Sequence, residues 1–174
     1  NNPDVPMIKK PEDLAGLRVG SFPKPSTTYT LLEELIRNNS EALKDTKIVE
    51  AAFGAQVALI ESGNADIAVE IEPTVSKMEH QGYRVVFNVS EYTDQQAITG
   101  LMVKQETIDN KPEIVQGMVN SLQKAMTTLH NDRETALNVA KKLFPDLGDV
   151  VINNAVERMM SQAMYPKSVV VLSL

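Results

Sequence analysis

Apolar and polar positions change their period several times along this chain. Residues 17–22 (LRVGSF) form a short apolar run that predicts a strand. Pro23 and Pro25 close it, because neither can donate a ladder hydrogen bond. Leu31, Leu32, Leu35 and Ile36 then recur at helical spacing, with Glu33, Glu34 and Arg37 on the outer face and Asn38, Asn39 and Ser40 at the end. The alternation repeats. Residues 47–53 predict a second strand, and residues 54–62 a helix closed by Gly63. Residues 66–71 predict a third strand, residues 74–81 a helix behind Pro73, and residues 83–89 a fourth strand. Strands alternating with helices at this spacing imply an α/β architecture, a mainly parallel sheet flanked by helices with right-handed crossovers.

The last part of the chain has a different rhythm. Residues 98–103 predict one more strand, and from about Asn110 everything is helical. Asn110 and Glu113 have the spacing of a capping box. Ile114, Val115, Met118, Val119, Leu122, Ala125, Met126 and Leu129 follow as one long apolar stripe. A second helix spans residues 133–144 and stops at Pro145, and a third spans residues 149–164. Residues 169–174 (VVVLSL) read as the start of a buried element. Methionines 118, 126, 159, 160 and 164 fall on apolar helical faces and are expected to pack in a core.

Composition narrows the chemistry. The net charge is −6 over 174 residues and no basic run occurs, which argues against nucleic-acid and anionic-membrane partners. The chain has no cysteine, so disulfides, thiolate metal sites and Cys nucleophiles are excluded. No apolar run reaches the roughly 18 residues of a membrane span. The opening at Asn1, without Met, is expected to reflect an upstream portion that was removed or lies outside this sequence.

Two segments are candidates for function. Phe22 to Thr28 joins the C-terminal end of a strand to the start of a helix, the side of a parallel sheet where ligands bind. A helix start offers free N–H groups and partial positive charge, and the hydroxyls of Ser26, Thr27 and Thr28 add donors. Together they suit a sulfonate, nitrate, phosphate or carboxylate, although a simple helix cap at Ser26 or Thr27 has the same signature. Glu70 and Glu72 end the third strand, and Glu72 could accept from an amine while also favouring the next helix start. Their shared strand face fits an acid/base pair too, with nothing else in support of hydrolysis. His80 and His130 sit at helix ends and read as surface or capping residues. No His cluster has metal-ligand spacing and no nucleotide or nucleophile motif is present, so no metal and no cofactor are expected.

Five phrases, taken together, resemble a known family. They are PEDLAGLRVG at residues 11–20, Ser26-Thr27-Thr28, ALIESGNADIAV at residues 58–69, Glu72-Pro73, and KPEIV at residues 111–115. In this order they resemble ABC-transporter substrate-binding proteins for nitrate, sulfonates, taurine and thiamine-pyrimidine precursors. The resemblance implies a two-lobed type II periplasmic-binding fold that closes on a small anionic or zwitterionic solute, and no enzymatic activity. It implies that residues 1–104 are the second α/β lobe, and that residues 105–174 are helices packing on a first lobe mostly outside this chain. It also implies Ser26, Thr27, Thr28 and Glu72 as solute-binding residues, a membrane permease as partner, and a periplasmic or extracellular location, with any lipid anchor elsewhere. A lobe left alone with an open apolar patch is expected to dimerise or swap strands. Two departures stand out: Pro25 replaces the usual glycine before the Ser/Thr turn, and Ile71 replaces the usual tryptophan before Glu-Pro. Two alternatives share the fold. One is an effector-binding regulatory domain. The other is a thiamine-pyrimidine biosynthesis enzyme, which uses a Cys-rich segment that this chain lacks.

Overall fold

A computed structural model of the chain describes residue 5 and residues 7–93, 99–162 and 164–169. The chain divides into two compact units, residues 1–98 and residues 99–174.

In the first unit, β1 (Arg18–Ser21) lies between β2 (Lys47–Glu50) and β3 (Ile67–Ala68), all parallel. Val19 pairs with Ile48 on one side and Ile67 on the other, and Gly20 with Val49 and Ala68. Helices α1 (Thr27–Asn38), α2 (Gln56–Glu61) and α3 (Thr74–His80) follow the three strands in turn. The fold class is the one the apolar periodicity implies. A core of Ile8, Leu14, Leu35 and Leu43 takes in Leu17, Ile36, Ile67, Val86 and Phe87. Gly20 permits a close approach: a Cβ there would lie 3.1 Å from Leu59 Cδ1 and 3.3 Å from Ala68 Cβ. At the N-terminal edge of the sheet, Arg18 clasps the β3 entry. Its Nη2 donates to Asp66 Oδ1 at 2.6 Å, its Nε and backbone N–H donate to Oδ2, and its Nη1 donates to Gly63 O at 2.6 Å. The side-chain hydrogen bond from Arg18 holds the Asp66 carboxyl below the usual range, and raises Arg18 in turn.

The expected fourth strand over residues 83–89 does not form. Ile8 N–H donates to Val86 O at 3.0 Å, but residues 83–88 have no strand ladder, and a short 3₁₀ turn occupies Val89–Tyr92. A ladder needs successive bonds to one partner edge, and the bond from Ile8 is not followed by another among the described residues. Val86 and Phe87 act instead as a lid on the core. The strand expected at residues 98–103 is also absent over its described part, residues 99–103. Leu101, Met102 and Val103 are exposed, and no described strand of their unit lies alongside to complete a ladder.

The second unit is helical: α4 (Gln105–Asn110), α5 (Pro112–Asn131), α6 (Arg133–Leu143) and α7 (Asp149–Ser161). The expected capping box is replaced by a break. Asn110 ends α4, Lys111 leaves helical geometry at φ −143° and ψ 51°, and Pro112 begins α5. A residue before proline avoids the helical region, and proline suits a first helical position. Asp132 caps α6, accepting from Thr135 N–H at 3.0 Å. Val151, Ile152, Ala155 and Val156 are buried on α7, whereas α5 has no buried residue. The core role expected for Met118 and Met164 fails, with 53% and 46% of their surface exposed. Within the unit α5 packs mainly against α4 and α6, and Ile114 and Met118 of its apolar stripe stay exposed. Residues 170–174, expected to open a buried element, lie outside the described residues. No described helix is long and apolar enough to cross a membrane.

Candidate ligand-binding edge

Three loops meet the C-terminal edge of the sheet, one after each strand. The first runs from Phe22 to Ser26 and holds a cis Lys24–Pro25 bond. Ser26 is the N-cap of α1, its Oγ accepting from Tyr29 N–H at 3.2 Å. That satisfies one of the N–H groups a helix start leaves open. Thr27 and Thr28 occupy the next two positions, half-buried, and their hydroxyls form no hydrogen bond among the described residues. Lys24 is committed: its backbone N–H donates to Glu50 Oε2 at 3.0 Å, and its Nζ reaches Glu33 at 3.1 Å and the Tyr29 ring at 4.6 Å. The Glu33 hydrogen bond raises the pKa of this amine.

The second loop spans residues 51–55. Fully buried Gln56 shapes it, with Nε2 donating to the carbonyls of Ala51 and Ala52 at 3.0 and 2.9 Å. Its Oε1 accepts from Gly54 N–H at 3.0 Å. Gly54 has φ +82°, a conformation that costs glycine little. The turn lifts Phe53 outward, 71% exposed, while its ring stacks on buried Phe22 at 4.7 Å.

The third loop spans residues 69–73. Val69 N–H donates to Gly20 O at 2.8 Å, which carries the β1–β3 ladder one step beyond Ala68. Glu70 is half-buried, with Oε2 accepting from Ile71 N–H at 3.3 Å and Oε1 buried without a partner. Burial pushes its carboxyl up, and the Ile71 amide offsets part of that. Glu72 is placed differently. Its two oxygens accept from Ser76 Oγ at 3.0 Å and Ser76 N–H at 3.2 Å, which pins the first turn of α3. The buried Ser21 Oγ at the end of β1 is also without a partner.

The four residues singled out from the sequence therefore lie at one edge, Ser26 at the end of its first loop, Thr27 and Thr28 in the first turn of α1, and Glu72 on its third loop. Phe53 and Gln56 had not been singled out. Their signal was an aromatic residue inside a glycine-bearing turn, followed by an amide at the helix start.

Comparison with known proteins places the chain in a family. Residues 2–136 match the family model described as NMT1/THI5 like. The chain belongs to the NMT1/THI5-like family. This NMT1/THI5-like chain is similar in structure to the alkanesulfonate-binding protein SsuA from Xanthomonas axonopodis pv. citri bound to MOPS, with a TM-score of 0.66 and 19% identity. The superposition covers 88% of this chain and 53% of SsuA, so the NMT1/THI5-like chain spans about half the length of that protein. The likeness shows a shared periplasmic-binding-protein-like fold. No curated protein sequence matches the chain.

Proposed function

We propose that this chain is part of a solute-binding protein that delivers a small anionic or zwitterionic solute to an ABC-type permease, in the periplasm or outside the cell. It binds and releases the solute without chemical change. The observation that carries the reading is the start of α1, where Thr27 and Thr28 present uncommitted hydroxyls at the C-terminal edge of a parallel sheet. Hydroxyls and free helix N–H groups stabilise an anion through dipoles, without a counter-charge. Ser26 holds the turn in place by capping α1, and Glu72 sets the third loop of the same edge by pinning α3.

Family membership and the fold of the sulfonate-binding neighbour support this class of ligand. The test is a thermal-shift and calorimetric panel of nitrate, phosphate, alkanesulfonates and taurine. A bound ligand at about 100 times its Kd stabilises the fold by about 2.7 kcal/mol. Replacing Ser26, Thr27 and Thr28 together by Ala is expected to abolish the shift while the variant stays folded. A triple variant that binds its ligand as tightly as the parent would rule this edge out.

A further inference from the structure

One face of α5 is exposed and built differently from the rest of the helix. Ile114, Gly117, Met118, Ser121 and Ala125 fall on one side and are all exposed, whereas Val115, Val119, Leu122 and Met126 on the other side are partly buried. The middle of the exposed face is smooth. A Cβ at Gly117 would meet nothing within 4 Å. Ser121 Oγ donates to Gly117 O at 2.8 Å, so its hydroxyl is satisfied inside the helix. Glu113 and Lys124 border the face on one side, roughly three turns apart. Both are exposed, and neither forms an ion pair among the described residues.

These features are complementary to themselves. A two-fold axis between Gly117 and Ser121, perpendicular to α5, sets Gly117 against Ser121 of a second copy. The same operation, to within one residue, brings Glu113 to Lys124 and Ile114 to Ala125, each pair occurring twice. Small residues at the crossing let two helices approach closely, and the larger Ile114 side chain lies beside the small Ala125. A parallel pairing would instead oppose Glu113 to Glu113 and Lys124 to Lys124, so charge selects the antiparallel one.

We propose that this face of α5 is a self-association surface, through which two copies of the chain pair as an antiparallel helix dimer. The pairing is independent of the solute edge on the first unit. A crossing of two helices buries less than the roughly 1,200 Å² at which standard interfaces begin, so the dimer is reversible and the dilute chain is monomeric.

Sedimentation equilibrium of the full chain from about 5 µM to about 1 mM tests the pairing. The mass is expected to rise from monomer to dimer over that range and to stop there, because a two-fold contact closes on itself. Gly117→Leu has free space in the single chain and is expected to hold the mass at monomer. Glu113→Lys alone should weaken association roughly fivefold or more, and Glu113→Lys combined with Lys124→Glu should recover the parental association to within about twofold. A chain that stays monomeric at every concentration would overturn the pairing and leave the face to a partner of another kind. Dimers that ignore Gly117→Leu, or a charge swap that fails to recover association, would place the contact elsewhere and overturn it equally. Circular dichroism of each variant separates lost association from lost fold.

Discussion

A single carboxyl shows how environment decides what a residue does. Glu70 and Glu72 are two positions apart and look equivalent in the sequence. The fold gives Glu72 a structural task at the start of α3 and leaves Glu70 with one oxygen buried and no donor. Only tertiary structure separates them, because the difference comes from Ser76 on one side and burial on the other. Glu70 is therefore expected to oppose folding when ionised. Its carboxyl is raised above its ordinary value of 4.5, so its contribution to stability is full below that pH and is lost as pH rises through the raised value. Glu70→Gln should then raise Tm at pH 7, with the gain fading as pH falls toward 4.5. Partial exposure screens the charge and keeps the rise to roughly one or two degrees. Thermal melts of both proteins from pH 4 to 8 check this. An unchanged or lower Tm for the variant at pH 7 would contradict the account. Ser26 is the opposite case, since its capping role was legible from the residue type and position alone.

At the scale of elements, local rules went far where a segment's neighbours are close in sequence. The strand and helix starts of the first unit fall within a few residues of the apolar periodicity, and α6 and α7 begin at the expected residues. The misses have one physical origin. Strand assignment at residues 83–89 and 99–103 depends on a partner edge, and apolar character cannot report whether that edge exists. The stripe on α5 was read correctly as a stripe, but amphipathic spacing cannot say what covers it. Burial therefore predicts mutational cost better than apolarity does. Leu43 is fully buried in the first unit's core, and Leu43→Ala should cost about 2–5 kcal/mol in urea denaturation. Met118→Ala on the open face of α5 should cost less than about 1 kcal/mol, because little contact is lost there. A Met118 variant as damaging as the Leu43 one would mean that the face is covered in solution.

For the molecule as a whole, charge and packing set two limits. A net charge of −6 repels small anions at long range, so the proposed capture of an anion would draw on local donors instead of an electropositive surface. The committed state of Lys24 agrees with this, as the cation nearest the start of α1 in sequence is already held by Glu33. Packing is uneven as well. The buried hydrophobic residues described in the second unit all lie on α7, while the first unit packs residues from its entry segment, β1 and α1. Resistance to local opening follows buried contact. Amide hydrogen exchange is expected to be slowest in β1 and much faster along α5, measured by mass spectrometry or NMR on the chain. Equal protection of the two would show that α5 gains cover from an association not seen within its own unit.

The clasp between Arg18 and Asp66 stands at the opposite end of β1 from Phe22 and the loop that follows it. Four strand steps at about 3.3 Å each put roughly 13 Å between them, beyond the range at which substitutions usually couple. If the proposed edge is where solute binds, robustness and capture lie at separate ends of one strand, so evolution or a protein engineer can retune the loops without renegotiating the clasp.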